Sequence, residues 1–524
     1  MQRLHSFFRE SGVNASGNSL DFPQTKNYTA FREKTKREEQ VCQPGAEGRQ
    51  RSRAYDERDK MEKHLSEMTL AELTAKEGIR CSCGKIHRCG LRFFRAGPGA
   101  VRTLPEALAD RGRHHPMIVM DANTEKAAGE KVRTVLREAG IPIAEFVFPA
   151  REGKMEPDER AMGALVMALD PSCDVIVAVG SGVINDCCKV MAYACGLPCM
   201  VVCTAPSMDG YCSNSASMIR DRLKVSLYNA CPEAIIADTD ILATAPDIML
   251  QAGLGDMLAK YVSVCEWRIS HLVHGDPYCE EIAGMVRTCL KKIVDQADGL
   301  MRRDPEALKA VLEGLVISGI SMAFAEISRP ASGLEHYFSH LWEMQALQRW
   351  ESSDLHGIQV GVGTLLTLWI YEHMLNMETV DTEKAKKAMA AFSPEAWETR
   401  MHAIFGPVAP SVLKIEEKTG KNRPETQCAH LRTITENWEE IRAIIREELP
   451  PRDRVYALMK RCGMPLVPAD LNLTLRDTLD ALAGSREIRD KYLTSSLLWD
   501  LGLLDETAEK LGMELTAAHA VCEA

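Results

Sequence analysis

Positive charge is what this chain of 524 residues is short of: 63 Lys and Arg stand against 74 Asp and Glu, a formal net charge of −11 at pH 7. That balance excludes a nucleic-acid binder held by a broad basic surface, while leaving room for a local basic pocket. Uninterrupted apolar runs of about 18 residues are also missing, so no membrane span is expected. The opening residues, Met1-Gln2-Arg3-Leu4-His5-Ser6-Phe7-Phe8-Arg9-Glu10, lack the apolar core of a signal peptide. No internal repeat and no low-complexity tract stands out. A disulfide framework is absent too. The 18 cysteines are scattered, and many of them (Cys187, Cys188, Cys195, Cys199, Cys203) sit inside apolar runs. Buried free thiols in a reducing cytoplasm are therefore expected. With 45% hydrophobic residues, the chain can bury a large core in two or three domains.

Residues 1–60 are polar, mixed in charge and poor in aliphatics, and predict a disordered or loosely attached extension. A helical pattern begins at Met61 and runs through Leu65, Leu70 and Leu73, which makes Met61 an alternative start. Next comes Cys81-Ser82-Cys83-Gly84-Lys85-Ile86-His87-Arg88-Cys89. Three thiols and an imidazole this close could hold zinc, although C-x-C-x3-H-x-C is cramped beside the usual C-x2-4-C knuckle. The other reading is a structural turn before a strand.

From Pro116 strands and helices alternate. Met117-Ile118-Val119-Met120, residues 144–148, Val175-Ile176-Val177-Ala178-Val179 and Cys199-Met200-Val201-Val202-Cys203 read as strands. Residues 125–139 and 158–169, and the stretch up to Cys195-Gly196, read as helices. Strand signals vanish after about Ala245. The expected fold is an α/β N-terminal Rossmann-like domain with a mainly parallel sheet over residues 61–244. An all-α C-terminal domain follows over residues 245–524.

Histidine is scarce, 14 in all, yet His336, His340 and His356 fall close together. His336 and His340 are four apart and share a helix face. Such a pair offers two imidazoles to one metal, or one to a metal and one to a substrate. Asp256 and Lys260 are also four apart, as an ion pair or as a carboxylate ligand beside a cation. Asp256, His336 and His356 would give one carboxylate and two imidazoles, a set suited to Zn²⁺, Fe²⁺ or Ni²⁺. In the first domain, Gly180-Ser181-Gly182 ends a strand and opens a helix, where a pyrophosphate can meet free N–H groups and the helix dipole. Asn185 stands where a Rossmann fingerprint has its third glycine. Asp121 can reach ribose hydroxyls or simply cap a helix. Thr204, Ser207 and Ser213 add hydroxyls after the next strand, and Asp209 adds a carboxylate.

These residues, taken in order, resemble a known family. Gly180-Ser181-Gly182-Val183-Ile184-Asn185-Asp186, Thr204-Ala205-Pro206-Ser207-Met208-Asp209-Gly210 and Gly255-Asp256-Met257-Leu258-Ala259-Lys260-Tyr261 are similar to stretches of the bacterial sn-glycerol-1-phosphate dehydrogenases. So are Ser328-Arg329-Pro330-Ala331-Ser332-Gly333 with Glu335-His336, and His356-Gly357. That family lies in the superfamily of iron-containing alcohol dehydrogenases, glycerol dehydrogenase and 3-dehydroquinate synthase. The resemblance spans roughly residues 75–365 and continues more weakly to Arg489-Asp490-Lys491-Tyr492.

The resemblance implies a dehydroquinate synthase-like fold with the active site in an interdomain cleft. It implies one divalent metal (Zn, Ni or Fe) on Asp256, His336 and His356, with His340 and Asp209 catalytic and in contact with substrate. Asp256 would meet the substrate through the metal site. NAD(H) or NADP(H) would lie against Asp121, Gly182, Val183, Ile184, Asn185, Asp186, Thr204, Ala205, Pro206, Ser207 and Ser213. The implied reaction is reversible NAD(P)H-linked reduction of dihydroxyacetone phosphate to sn-glycerol 1-phosphate, in a cytoplasmic homo-oligomer. Its phosphate would need cations, for which Lys260 and Arg329 are candidates by position. Other readings are a glycerol or other polyol dehydrogenase, a 3-dehydroquinate synthase-like lyase, and a metal-binding or regulatory protein that has lost turnover.

Overall fold

A computed structural model describes residues 63–150, 154–221 and 223–523, of which Lys63 onward forms a single compact unit. The expected extension over residues 1–60 and the start at Met61 lie outside the described residues. The helical pattern expected up to Leu73 is not one helix. It is a single 3₁₀ turn, Leu65–Glu67, and a four-residue helix, Leu70–Leu73. Thr69 interrupts: its hydroxyl accepts from the Glu72 N–H at 3.3 Å and restarts the helix as a cap.

Ten strands are described. A small antiparallel pair, β1 (Ile79–Arg80) and β2 (Ile86–His87), precedes β3 (Phe93–Gly97), β4 (Pro116–Asp121), β5 (Ala144–Phe148), β6 (Val175–Gly180) and β7 (Cys199–Cys203). A hairpin of β8 (Ser215–Arg220) and β9 (Leu223–Tyr228) leads to β10 (Ala234–Asp238). Six strands make one parallel sheet in the order β3-β10-β7-β6-β4-β5. The four expected strands are four of its six, from β7 to β5. The sequence pattern misses β3 and β10, which complete the other edge. Phe93-Phe94-Arg95-Ala96-Gly97 carries a charge at its centre, and Arg95 reaches outward to Glu106 at 3.2 Å.

Side chains alternate across the sheet. Met117, Val119, Ile176, Ala178 and Val201 face Ile184, Cys187 and Leu315 on one side. Ile118, Val177, Met200 and Ile236 face Leu104, Val132 and Leu136 on the other. Both faces are covered, as a parallel sheet requires.

The longer helices are α1 (Leu104–Asp110), α2 (Glu130–Glu138), α3 (Glu159–Ala168) and α4 (Gly182–Cys195), all within the α/β part. After β10 come α5 (Asp247–Leu258), α6 (Lys260–His274), α7 (Glu280–Met301), α8 (Pro305–Ala325), α9 (Leu334–Arg349) and α10 (His356–Leu375). Among the described residues every element after β10 is helical. One of these helices, α8, is long and apolar enough to cross a membrane, but it is a core helix, with Leu308, Val311, Leu312, Leu315 and Ile320 fully buried. Helices α5 and α10 touch through glycine. A Cβ on Gly255 would fall 2.2 Å from the Gly357 carbonyl oxygen, and one on Gly357 would fall 2.0 Å from that of Ala252. This crossing sets Asp256 beside the start of α10.

Candidate active site

Helix α9 carries His336 and His340, and α10 begins at His356. The three rings form one cluster. Ring centroids lie 5.2 Å apart for His336 and His356, 5.6 Å for His340 and His356, and 6.4 Å for His336 and His340. Each ring is oriented by a neighbour. Glu335 Oε1 sits 2.8 Å from His336 Nδ1, which leaves Nε2 as the free donor atom, 3.5 Å from Asp256 Oδ1. His356 Nδ1 lies 2.9 Å from Ser339 Oγ and 3.3 Å from Glu343 Oε1. His340 Nδ1 lies 3.8 Å from Glu343 Oε2. Asp256 and His336 therefore meet, whereas His356 is drawn toward Glu343 and shares a tight donor group with His340 and Glu343.

Asp256 is buried, and so is Lys260 one turn on. The Lys260 ammonium lies 2.9 Å from Asp256 Oδ1 and 2.8 Å from Asp209 Oδ2, and donates to the Ala331 carbonyl at 3.1 Å. The Asp209 N–H donates to Asp256 Oδ2 at 2.8 Å, and Ser318 Oγ donates to Asp209 Oδ2 at 2.8 Å. Burial opposes the Asp256 carboxylate, but Lys260 and His336 outweigh it and hold its pKa well below the usual range. Burial likewise opposes the Lys260 ammonium, and Asp209 and Asp256 outweigh it, raising its pKa. Burial also lowers His340 well below 6.5, against Glu343 and with help from Arg489 and Lys224.

Around α4, Ser181 is the N-cap residue, yet its side chain makes no cap bond; its hydroxyl pairs with Ser207 Oγ instead. The first amides of α4 are thus left for another acceptor. Gly182 is half-buried, and a Cβ there would meet only Met208, at 3.6 Å and beyond. Val183 is half-buried beside it, while Ile184 and Asn185 are buried inside. The Asn185 amide donates to the Gly210 carbonyl at 3.3 Å. Thr204, Ala205, Pro206 and Ser207 form a buried segment, and the Tyr211 hydroxyl donates to the Ala205 carbonyl at 2.6 Å. Lys189, which the sequence reading passed over, organises this loop. Its ammonium bonds the Gly210 carbonyl at 3.0 Å and Ser213 Oγ at 3.1 Å, and lies 3.2 Å from Asp186 Oδ1. Asp121 caps the turn after β4, accepting from the Asn123 and Thr124 amides at 2.9 and 2.8 Å.

The two cations proposed by position are already engaged. Lys260 is held as above, and Arg329 is salt-bridged to Asp276 and donates to the Tyr492 carbonyl at 2.6 Å. A different pair is Arg489, whose charge acts on His340, and Lys491 beside Tyr337. The Arg489 guanidinium donates to Ser226 Oγ at 3.3 Å, and the Lys491 ammonium donates to the Ser332 carbonyl at 3.3 Å and lies 5.7 Å from the Tyr337 ring centre. Among the described residues neither has a carboxylate partner. Burial, with Arg329 and Arg489 close by, depresses the Lys491 ammonium well below 10.5. The sequence signal was the weak continuation of the resemblance through Arg489-Asp490-Lys491. Glu335 and Glu343 were legible only as neighbours of histidines, one and three residues away.

Two imidazoles bound to one metal at about 2.1 Å with a tetrahedral angle put their centroids about 5 Å apart, and His336 and His356 stand at 5.2 Å. Asp256 meets His336, but the donor atoms of this region that lie within 4.8 Å of one another are those of His340, Glu343 and His356. A nucleotide pyrophosphate fits the uncapped start of α4.

Comparison with known proteins places the chain in a family. Residues 95–246 match the family model described as iron-containing alcohol dehydrogenase. A glycerol-1-phosphate dehydrogenase [NAD(P)+] of Halalkalibacterium halodurans is 35% identical over 306 residues, 58% of this chain and 77% of the relative. The enzyme of that name from Bacillus licheniformis is 31% identical over 344 residues, 64% of this chain and 86% of its own.

This chain belongs to the glycerol-1-phosphate dehydrogenase family.

It is thereby an NAD(P)-dependent oxidoreductase of the iron-containing alcohol dehydrogenase superfamily, acting on a small molecule. Solved structures bear on the fold alone. Glycerol dehydrogenase from Schizosaccharomyces pombe shares 16% identity at a TM-score of 0.53, covering 83% of this chain and 94% of its own. Sulfoacetaldehyde reductase from Bifidobacterium kashiwanohense, solved in complex with NAD+, shares 16% at 0.51, covering 81% and 98%. For this family member the expected dehydroquinate synthase-like architecture therefore holds. A separate cavity of about 310 Å³, lined by Leu258, Tyr261, Val294, Asp295, Arg454 and Leu458 among others, shares no residue with the histidine cluster.

Proposed function

We propose that the chain catalyses reversible, metal-dependent, NAD(P)H-linked reduction of dihydroxyacetone phosphate to sn-glycerol 1-phosphate, in a cleft between residues 61–244 and 245–524. The observation that carries the choice of a phosphorylated substrate is the pair Arg489 and Lys491, which among the described residues forms no ion pair and of which Arg489 acts on His340. A guanidinium matches phosphate geometry, and a dianion arriving beside Lys491 would favour its ammonium form against burial. Relatives named for glycerol 1-phosphate support the same reading.

Asp256, His336 and His356 would hold the divalent ion, Zn²⁺, Ni²⁺ or Fe²⁺, which supplies Lewis-acid polarisation of the substrate carbonyl. Gly182 and Val183 would hold the pyrophosphate of the nicotinamide cofactor, which would supply a hydride when bound. Lys260 holds Asp209 in place and keeps Asp256 ionised and fixed. His340, neutral at physiological pH, relays a proton to the C2 oxygen by giving one from one ring nitrogen while accepting one at the other. Arg489 and Lys491 orient the substrate through its phosphate.

The test is oxidation of NADH or NADPH with dihydroxyacetone phosphate after loading with Zn²⁺ or Ni²⁺, with chiral analysis of the product. Net cofactor consumption and the sn-1 product are expected. A metal-loaded chain that consumes no cofactor with this substrate refutes the assignment, and a preference for unphosphorylated glycerol or dihydroxyacetone points to the polyol alternative.

A further inference from the structure

The cysteine-rich turn near the start of the described chain lies apart from the chemistry above and is independent of it. Its sequence offered Cys81, Cys83, His87 and Cys89. The structure exchanges the last of these for a distant residue. Cys89 is buried with its thiol toward the Leu73 carbonyl oxygen, at 3.9 Å. Cys279, almost 200 residues away in sequence, takes its place.

The donor atoms of Cys81, Cys83, His87 and Cys279 all lie within 4.8 Å of one another. Cys81 Sγ is 3.6 Å from Cys279 Sγ. His87 Nε2 is 3.4 Å from Cys83 Sγ and 3.8 Å from Cys279 Sγ. Around a tetrahedral zinc ion with Zn–S of about 2.3 Å and Zn–N of about 2.1 Å, sulfurs stand about 3.8 Å apart, and sulfur and nitrogen about 3.6 Å. The observed edges match those of such a tetrahedron. They do not match a disulfide, whose sulfurs are bonded at about 2.05 Å.

Each donor is also prepared for a metal. His87 Nδ1 lies 3.1 Å from the Phe324 carbonyl oxygen, so its N–H is used there and the Nε2 lone pair is left for the sulfurs. The imidazole stacks on the Phe324 ring, with centroids 5.3 Å apart and planes at 17°. Cys81 and Cys83 come from the tight turn between β1 and β2. There the Gly84 N–H donates to the Cys81 carbonyl at 3.0 Å, and Gly84 takes φ +83°, a conformation other residues resist. Cys279 is the N-cap residue of α7, where the helix dipole favours a thiolate; burial raises its thiol pKa, so a metal would have to displace the proton.

We propose that Cys81, Cys83, His87 and Cys279 bind a structural zinc ion as a closed Cys₃His site that clasps the β1–β2 turn to the start of α7 and the end of α8. Four protein donors leave no position for substrate, which makes the site structural, and three thiolates with one imidazole select Zn²⁺ among the abundant divalent ions. The end of α8 leads directly into Arg329-Pro330-Ala331-Ser332, so the ion would anchor the segment that enters α9 and His336.

The full chain, purified without chelator, is analysed for metal by mass spectrometry and loaded with Co²⁺ for spectroscopy. Wild type should give thiolate-to-cobalt charge-transfer bands. X-ray absorption at the zinc edge should show sulfur at about 2.3 Å. The Cys81→Ser/Cys83→Ser double variant should contain one zinc fewer per chain and unfold at lower temperature, whereas Cys89→Ser should keep wild-type zinc. The charge-transfer bands and the absorption edge are read on wild type, so they decide even where the double variant fails to fold. Absence of sulfur scattering and of charge-transfer bands, equal zinc in wild type and the folded double variant, or a Cys81–Cys279 disulfide in the purified chain would each overturn the site.

Discussion

At Glu266 a single proton decides how two buried carboxylates coexist beside the histidine cluster. Glu266 accepts from the Leu334 N–H at 3.2 Å and the Thr494 N–H at 3.1 Å, while Glu335 Oε2 is buried without a partner. Burial, then the Glu335 charge, push the Glu266 carboxyl up to about 7. The sign follows from proton binding. An unfolded chain ionises Glu266 near 4.5, whereas the folded chain still holds that proton up to about 7. Stability contributed by the proton is present in full below the unfolded value and is lost as pH rises to about 7. At 1.36 kcal/mol per unit the window is worth on the order of 3 kcal/mol. Glu266→Gln keeps an acceptor for the Thr494 and Leu334 amides and offers its own N–H to Glu335. Denaturation of this variant should show a flatter stability profile between about pH 4.5 and 7 and a gain at pH 8. An unchanged slope would assign the proton elsewhere.

At the scale of elements, the site depends on how closely helices approach. Asp256 lies on α5 and His356 opens α10, and the two helices meet at Gly255 and Gly357 with no room for a methyl group. Gly255→Ala must push the Gly357 carbonyl away, which overpacking data put at about 1–3 kcal/mol of stability. Displacing Asp256 from His356 by a fraction of an ångström should cost more in turnover, about 10²-fold in kcat/KM, than in stability. Thermal unfolding and steady-state kinetics on the same preparation separate the two, and full activity with lowered stability would show that this crossing does not set the site. Much at this scale was legible in the sequence. The strand-then-glycine pattern marked β6 and α4, and the i, i+4 spacing of His336 and His340 marked one face of α9. What was not legible depended on tertiary neighbours. β3 carries Arg95 in an apolar run, and Cys279 joins its partners across almost 200 residues of chain. Even Lys260, whose i, i+4 pairing with Asp256 was expected, also takes Asp209 as a partner from another part of the chain.

For the molecule as a whole, a net charge of −11 presents a problem for any dianionic substrate, which the protein repels at long range. Under the proposed function Arg489 and Lys491 would offset that field locally, and they lie more than 130 residues beyond His356 in the chain. Salt separates the two contributions, because screening acts over about 8–10 Å at physiological ionic strength. In wild type the near attraction dominates, so KM for dihydroxyacetone phosphate should rise as salt is added. In an Arg489→Gln/Lys491→Met variant only the distant repulsion remains. KM should then start at least about tenfold higher, as loss of one good charge-assisted contact of about 1.5–3 kcal/mol implies, and should fall with salt. Unphosphorylated dihydroxyacetone, being neutral, should show neither trend in either protein. A parallel salt response in wild type and variant would place the phosphate elsewhere in the cleft, with Lys224 the next cation to replace, since it too bears on His340 from β9.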